Sequence, residues 1–287
     1  MSALRRALWG YAFLLPALLI LGAFVFYPIL FGLPLSLTDY SVIGKTHFVG
    51  LANFRRALAS HEFWISLKNS LFYLLVVPPI QILSILLAVL VNRNLPGIGF
   101  FRAVYYLPVV TSMVAVAITW QWIYGGHGLL NAILLRLGLV SRPIYWNSNT
   151  HTALPAVMFI TLWKGLGYYM VIYLAGLQAI PKEVIEAARI DGAGSPQVIR
   201  WVIVPLLRPY ILVCSLLSTI AAVRVFDEVY VIHPNGGPLH ATLVSSLYIY
   251  REAFLRFDFG YAAAVGLLIS VVLLIPSILL FRWGREP

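Results

Sequence analysis

Six stretches of this chain stay apolar for about the length that a bilayer demands, and nothing else in the sequence constrains the fold as strongly. Crossing ~30 Å of hydrocarbon at ~1.5 Å of helix rise per residue takes roughly 20 residues. The first stretch lies within Ala7–Thr38 and the last within Phe259–Phe281, both free of charge. Between them come Asn69–Asn92, Ala103–Tyr124, Thr152–Gly176 with the single charge Lys164, and Pro209–Ile232, apolar until Arg224, Asp227 and Glu228. Lipid cannot satisfy an open backbone, so these stretches are expected to be helices. The ten-residue alternation of a membrane barrel is absent. Pro16, Pro28 and the pair Pro78-Pro79 fall inside spans, where neighbouring helices cover the freed carbonyls. The expected fold is all-α and integral to the membrane, with six transmembrane helices.

Composition agrees. Only 10% of the 287 residues are charged, against about 25% in soluble domains. The net charge of +10 comes from Lys and Arg placed mainly at the ends of apolar runs. There they meet lipid headgroups. No basic stripe lies between the runs, so the expected partner is membrane lipid and not nucleic acid. A lone cysteine, Cys214, excludes an internal disulfide, and six scattered histidines offer no metal-ligand spacing. Arg5-Arg6 opens the first stretch as it would a signal peptide. The apolar run is too long and no A-x-A site follows, so the stretch reads as a retained span. Basic residues are denser in the segments that six spans place on the N-terminal side, among them Arg93, Arg102, Lys182, Arg189, Arg200, Arg208 and Arg285. The facing segments, with Lys45, Arg55, Arg56 and Lys68, are longer. This favours both termini inside.

One hydrophilic stretch stands apart, from Ile180 to Gly194. Pro181 suits a first helical turn, Glu183 and Glu186 suit the positive end of the helix dipole, and Asp191-Gly192 is a stop signal. A second short helix is expected over about 196–202, before Pro205 and Pro209.

Glu186-Ala187-Ala188, then Asp191-Gly192-Ala193, then Ile203-x-Pro205-Leu206-Leu207-x-Pro209 resembles the EAA signature of ABC importer permeases. The resemblance continues through Phe48-Val-Gly-Leu-Ala-Asn-Phe54, Phe101-Arg102 with Leu107-Pro108, Gly128-Leu-Leu-Asn131 and Ala175-Gly-Leu-Gln-Ala-Ile-Pro181. It ends with Phe226-Asp227, Gly236-Gly-Pro238 with Thr242, and Phe259-Gly-Tyr-Ala-Ala-Ala264. Together these segments are similar to the first permease of maltose, trehalose or glycerol-3-phosphate importers.

The resemblance implies a type I importer permease (MetI-like) fold, with residues 1–64 an added helix plus outer segment and 65–287 the permease core. It implies that the cytoplasmic loop 177–208 carries a coupling helix, with Glu186, Ala187, Ala188, Arg189, Asp191, Gly192 and Ala193 meeting the ATPase. It also implies partners: an ATP-binding-cassette ATPase homodimer, a second related permease and an extracytoplasmic solute-binding protein. ATP and Mg would sit on the ATPase, and this chain would hold no cofactor. Gly44-Lys45-Thr46 mimics the tail of a phosphate-binding loop, but Asp39 stands where that loop needs its first glycine.

Charges inside spans are costly and therefore candidate functional residues. Lys164 sits among Trp163, Tyr168 and Tyr169, which offer aromatic faces and hydrogen bonds to a sugar, with Gly165 and Gly167 allowing close approach. By resemblance Thr161, Gly165 and Tyr168 stand at substrate-contact positions, as does Ser218, with Ser112 a further candidate. Ala222 and Val225 replace polar groups of a maltose-type site. Trp163 and Tyr168 are expected to face the pathway. Lys164 either pairs with Asp227 or Glu228 inside the bundle or, together with Arg224, meets a phosphate on the substrate. A membrane enzyme would need a nucleophile-and-base or metal constellation, and an ion channel a filter or charged rings. Neither pattern is present in the sequence.

Overall fold

The computed structural model describes residues 3–41, 46–93 and 95–283, without the side chains of 3–10, 277, 279–281 and 283. Gly44, Lys45 and Arg285, and the side chains of Arg5 and Arg6, lie outside the described residues. The described residues are helical throughout apart from loops and two isolated bridges.

Among the described residues, five helices are long and apolar enough to cross a bilayer: Tyr11–Ser36 (α1), His61–Val91 (α3), Ala153–Gln178 (α7), Arg208–Ile232 and Phe259–Pro276. A sixth span exists only as a bent pair. Ile98–Val110 (α4) and Met113–Ile123 (α5) meet at 100° across Thr111-Ser112. The single third helix expected over Ala103–Tyr124 is thus broken in the middle. Shorter helices are Ala52–Ala59 (α2), Leu129–Arg136 (α6) and Lys182–Ile190 (α8). The fifth span divides into Arg208–Val223 (α9) and Asp227–Ile232 (α10), and the last helix, α11, runs Phe259–Trp283.

The chain forms two compact units. One joins residues 1–63 to 248–271, the other joins 64–247 to 272–287. In the first, α1 has no buried residue in its most apolar window, so its whole circumference suits lipid. Asn53 donates to the carbonyls of Ser36 (3.0 Å) and Thr38 (2.8 Å), which α1 leaves open at its end. A side chain at Gly260 would overlap the carbonyl of Thr38. These contacts explain two of the motifs that carry the family resemblance. Arg56 reaches Asp258 at 2.6 Å and lies 4.0 Å over the Tyr261 ring, tying α2 to the start of α11.

In the second unit the core is formed by α3, α7 and α9, with Ile160, Met170 and Tyr173 fully buried. Here too motif residues act as clamps. Arg102 donates twice to the carbonyl of Val91, at 3.1 and 2.7 Å, closing the end of α3. Asn131 bonds the carbonyls of Gly125 and Ile144 and accepts from the Ile144 amide. Gly236 and Gly237 adopt φ of 87° and 71°, a turn closed by the Thr242 amide on the carbonyl of Gly236.

The hydrophilic loop folds as its punctuation predicts. Helix α8 starts just after Pro181, with Glu183 in its first turn and Arg189 in its last. Gly192 has φ +86°, the Ala193 amide bonds the carbonyl of Ala188, and the Gly192 amide bonds that of Arg189. This pairing is a Schellman ending. The second helix, Ser195–Val198, runs into a wide turn over Ile199–Ile203, not the single short helix expected.

Candidate functional site: a polar-faced cavity beside the broken span

Helix α7 turns by about 100° per residue, so Thr161, Lys164, Gly165 and Tyr168 share one face. All four line a cavity of about 370 Å³, together with Tyr169, Val109, Met113 and Ser218. The volume lies within the ~300–1,000 Å³ of small-molecule sites. Five of the pathway residues read from the sequence on α7, and Ser218 on α9, therefore converge.

Trp163 does not join them. It stands five residues, roughly 140° of helix rotation, from Tyr168. Its ring packs edge-on against Trp120 at 5.6 Å and lines a different, apolar groove with Leu107 and Ala115. Trp163 and Tyr168, expected to face one pathway, thus line two different hollows of this chain. Truncation should separate the two. Tyr168→Ala removes an exposed ring from the cavity and should lower uptake about tenfold, the equivalent of ~1.4 kcal/mol. Trp163→Ala should change uptake less than twofold. Uptake assays on the reconstituted importer decide, and equal losses from both would restore the shared face.

Lys164, Thr161 and Ser218 in the cavity wall are already engaged. The Lys164 ammonium donates to the carbonyls of Pro108 (2.7 Å), Val109 (3.3 Å) and Thr111 (2.6 Å). It meets carbonyls and not a carboxylate, so the ion pair with Asp227 or Glu228 is not formed. The reason is local: the break at Thr111 strips these carbonyls of their helical partners. Thr161 Oγ1 donates to Glu228 Oε1 at 2.6 Å and lies 2.6 Å from the Tyr73 hydroxyl. Glu228, 6% exposed, thus supports Thr161 from behind the wall. Ser218 is only 3% exposed; its Oγ accepts from Gln81 Nε2 at 2.7 Å and donates to the carbonyl of Ser215 at 3.1 Å. Tyr173 in turn donates to Gln81 Oε1.

Arg224 and Asp227 lie outside the cavity lining. Both are exposed, at the end of α9 and the start of α10. Ser112 is exposed at the break itself. Ala222 and Val225 are buried and do not line the cavity. Three wall supports escaped the sequence reading in this role: Tyr73, Gln81 and Glu228. Gln81, a lone amide in a charge-free apolar run, was the available signal.

Within the EAA segment Ile203 and Leu207 are buried, whereas Ile190 is 86% and Trp201 68% accessible, so the loop presents apolar side chains left open by the described residues.

Known proteins give this arrangement a family. Residues 67–283 match the binding-protein-dependent transport system inner membrane component family. The chain is 38% identical over 283 residues to the lactose transport system permease protein LacF of Rhizobium radiobacter, covering 96% of this chain and 94% of the relative. It is 35% identical to the trehalose/maltose transport system permease protein MalF of Thermococcus litoralis, covering 98% and 95%. In structure it matches a chain of a bacterial ABC transporter involved in the import of the acidic polysaccharide alginate. The TM-score there is 0.84 at 25% identity, covering 98% of this chain and 96% of that one. It likewise matches a chain of a bacterial alginate ABC transporter in complex with alginate pentasaccharide-bound periplasmic protein, with a TM-score of 0.84 at 25% identity. The chain belongs to the binding-protein-dependent transport system inner membrane components. It is a multi-pass, non-catalytic permease subunit of an ABC importer of the inner membrane.

Proposed function

We propose that this permease carries a neutral mono-, di- or oligosaccharide inward by alternating access, through the cavity on the Thr161–Tyr168 face. The observation that carries the reading is the wall itself. It combines a tyrosine ring, hydroxyls and a glycine gap, and its one lining cation is spent on carbonyls. An ammonium has three N–H donors, and here three carbonyls take them. A phosphate would find no free cation in this wall, which speaks against glycerol 3-phosphate. Relatives named for lactose and for trehalose and maltose support the saccharide class.

Energy comes from a separate ATPase homodimer holding ATP and Mg, docked on α8 and the turn that ends it through Glu186, Ala187, Ala188, Arg189, Asp191, Gly192 and Ala193. A second, related permease completes the pathway, and Arg224 and Asp227 face it or the substrate. An extracytoplasmic binding protein delivers the sugar. Both termini lie inside, with 65–287 as the permease core and 1–64 as the added helix and outer segment.

The test is substrate-stimulated hydrolysis and uptake in proteoliposomes holding both permeases, the ATPase and the binding protein. Lactose, maltose, trehalose and glycerol 3-phosphate are the probes. At least one neutral sugar should stimulate hydrolysis and enter the vesicles. Uptake of glycerol 3-phosphate alone would overturn the reading.

A further inference from the structure

A break in a membrane helix needs donors. Where α4 stops at Val110, Thr111 turns to φ −76° and ψ 147°, and the next helix leaves at 100°. The carbonyls of the last turn lose their i+4 amides, and lipid offers no replacement. One of them, Pro108, receives the Thr111 hydroxyl at 2.7 Å. Among the described residues, all other side-chain donation to this turn comes from one group on another helix, the Lys164 ammonium, which touches the carbonyls of Pro108, Val109 and Thr111.

Charge and geometry agree on what this contact does. The C-terminal end of a helix carries a partial negative charge, and a cation there is favoured. A lysine within a span is otherwise costly. Three carbonyls converging on one nitrogen offset that cost, and in return they fix the end of α4 to α7. Val109 and Met113, one on each side of the break, both line the cavity. The angle of the break therefore sets the position of the cavity wall.

We infer that Lys164 is a clasp, a positioning residue that holds the broken third span in its bent form and so shapes the cavity, and that it does not bind the substrate. The inference rests on the transporter reading above for its functional meaning, but its contact is independent of which sugar is carried. Alternating access requires contacts that exist in one state and are lost in another.

Hydrogen exchange across residues 104–116 of the assembled importer, without substrate, tests this directly. Lys164→Met should speed exchange in the last turn of α4 about tenfold, because its opening is no longer held. Lys164→Arg, with five donors on a planar fork, should keep exchange within about threefold of wild type. A substrate ligand gives a different pattern: lost uptake with exchange in 104–116 unchanged. That result for Lys164→Met would overturn the clasp. If Lys164→Met does not assemble, Lys164→Gln and Lys164→Arg are compared, and exchange equal to wild type in both would overturn it equally. Failure of every sugar probe would sink the saccharide reading while leaving the exchange result standing.

Discussion

Replacing Gly167 with valine should leave the importer largely unassembled, with less than about a tenth of the wild-type complex recovered in detergent. At this glycine, backbone meets backbone. A Cβ there would overlap the carbonyl oxygen of Tyr105 and stand 3.1 Å from the Cα of Tyr106. Neither atom belongs to a side chain that can swing away, so α4 and α7 must separate. Small residues at such crossings are what allow membrane helices to pack, because lipid supplies no hydrophobic drive between them. Separation has a second cost. Lys164 lies three residues earlier on α7, and its bonds to the carbonyls of 108–111 would stretch with the gap. Gly167→Ala should already show the loss in part. Gly165 provides the contrast, since a Cβ there meets Ile80 Cδ1 at 3.2 Å, the tip of a flexible side chain. Gly165→Ala should assemble near wild-type levels. Size-exclusion recovery of the complex with its ATPase measures all three, and equal recovery of Gly167→Val and Gly165→Ala would show that α4 yields.

The two glycines also mark how far the sequence can be read. Gly165 and Gly167 looked alike in Trp-Lys-Gly-Leu-Gly-Tyr, both suited to close approach. Which one touches a backbone depends on helix crossing, and a single sequence does not contain that. The spans themselves were legible because bilayer thickness sets a length that composition alone can meet. The break in the third span was not. Pro108 weakens the helix, yet the chain turns three residues later, where a lysine from α7 can reward the exposed carbonyls. Averaging hydropathy over the segment hides such a tertiary decision. Trp163 is the opposite case. Its 140° offset from Tyr168 follows from helix periodicity, and only the attraction of aromatic composition set it beside the cavity. Arg224 and Asp227 stood out as charges near membrane depth, but they sit at the joint between α9 and α10 and do not line the cavity beside the broken span. The buried supports Tyr73 and Gln81 act through partners on distant helices, Thr161 in one case and Ser218 in the other. Sequence proximity gave no hint of either pairing.

The loop proposed for coupling is the element where local chemistry and structure agree most fully, and it yields the other large effect. Gly192→Val should reduce binding-protein-stimulated ATP hydrolysis at least tenfold while the membrane fold survives. The residue sits at φ +86°, a region that L side chains enter at a cost of about 1–2 kcal/mol, and β-branched ones more reluctantly. Space is not the obstacle, because a Cβ at Gly192 meets nothing within 4 Å. Strain alone must be relieved, and the cheapest relief is to unwind the Schellman pair that ends α8, the Ala193 and Gly192 amides on the carbonyls of Ala188 and Arg189. The exposed Ile190 and the chain leading to Trp201 would then leave their present directions. The cavity is lined by residues of α3, α4, α5, α7 and α9, and none belongs to the loop, so sugar contacts should persist. Gly192→Ala should be milder and Gly192→Asn milder still, since asparagine tolerates the left-handed region. Glu186→Lys probes charge instead of shape, on a helix face that it shares with Arg189. Hydrolysis with and without loaded binding protein, alongside retention of the ATPase on the purified permeases, separates the outcomes. Wild-type stimulation in Gly192→Val and Glu186→Lys combined would reduce the loop to a connector. Loss of stimulation with the ATPase still bound would place the defect in transmission, and loss of the ATPase would place it in docking.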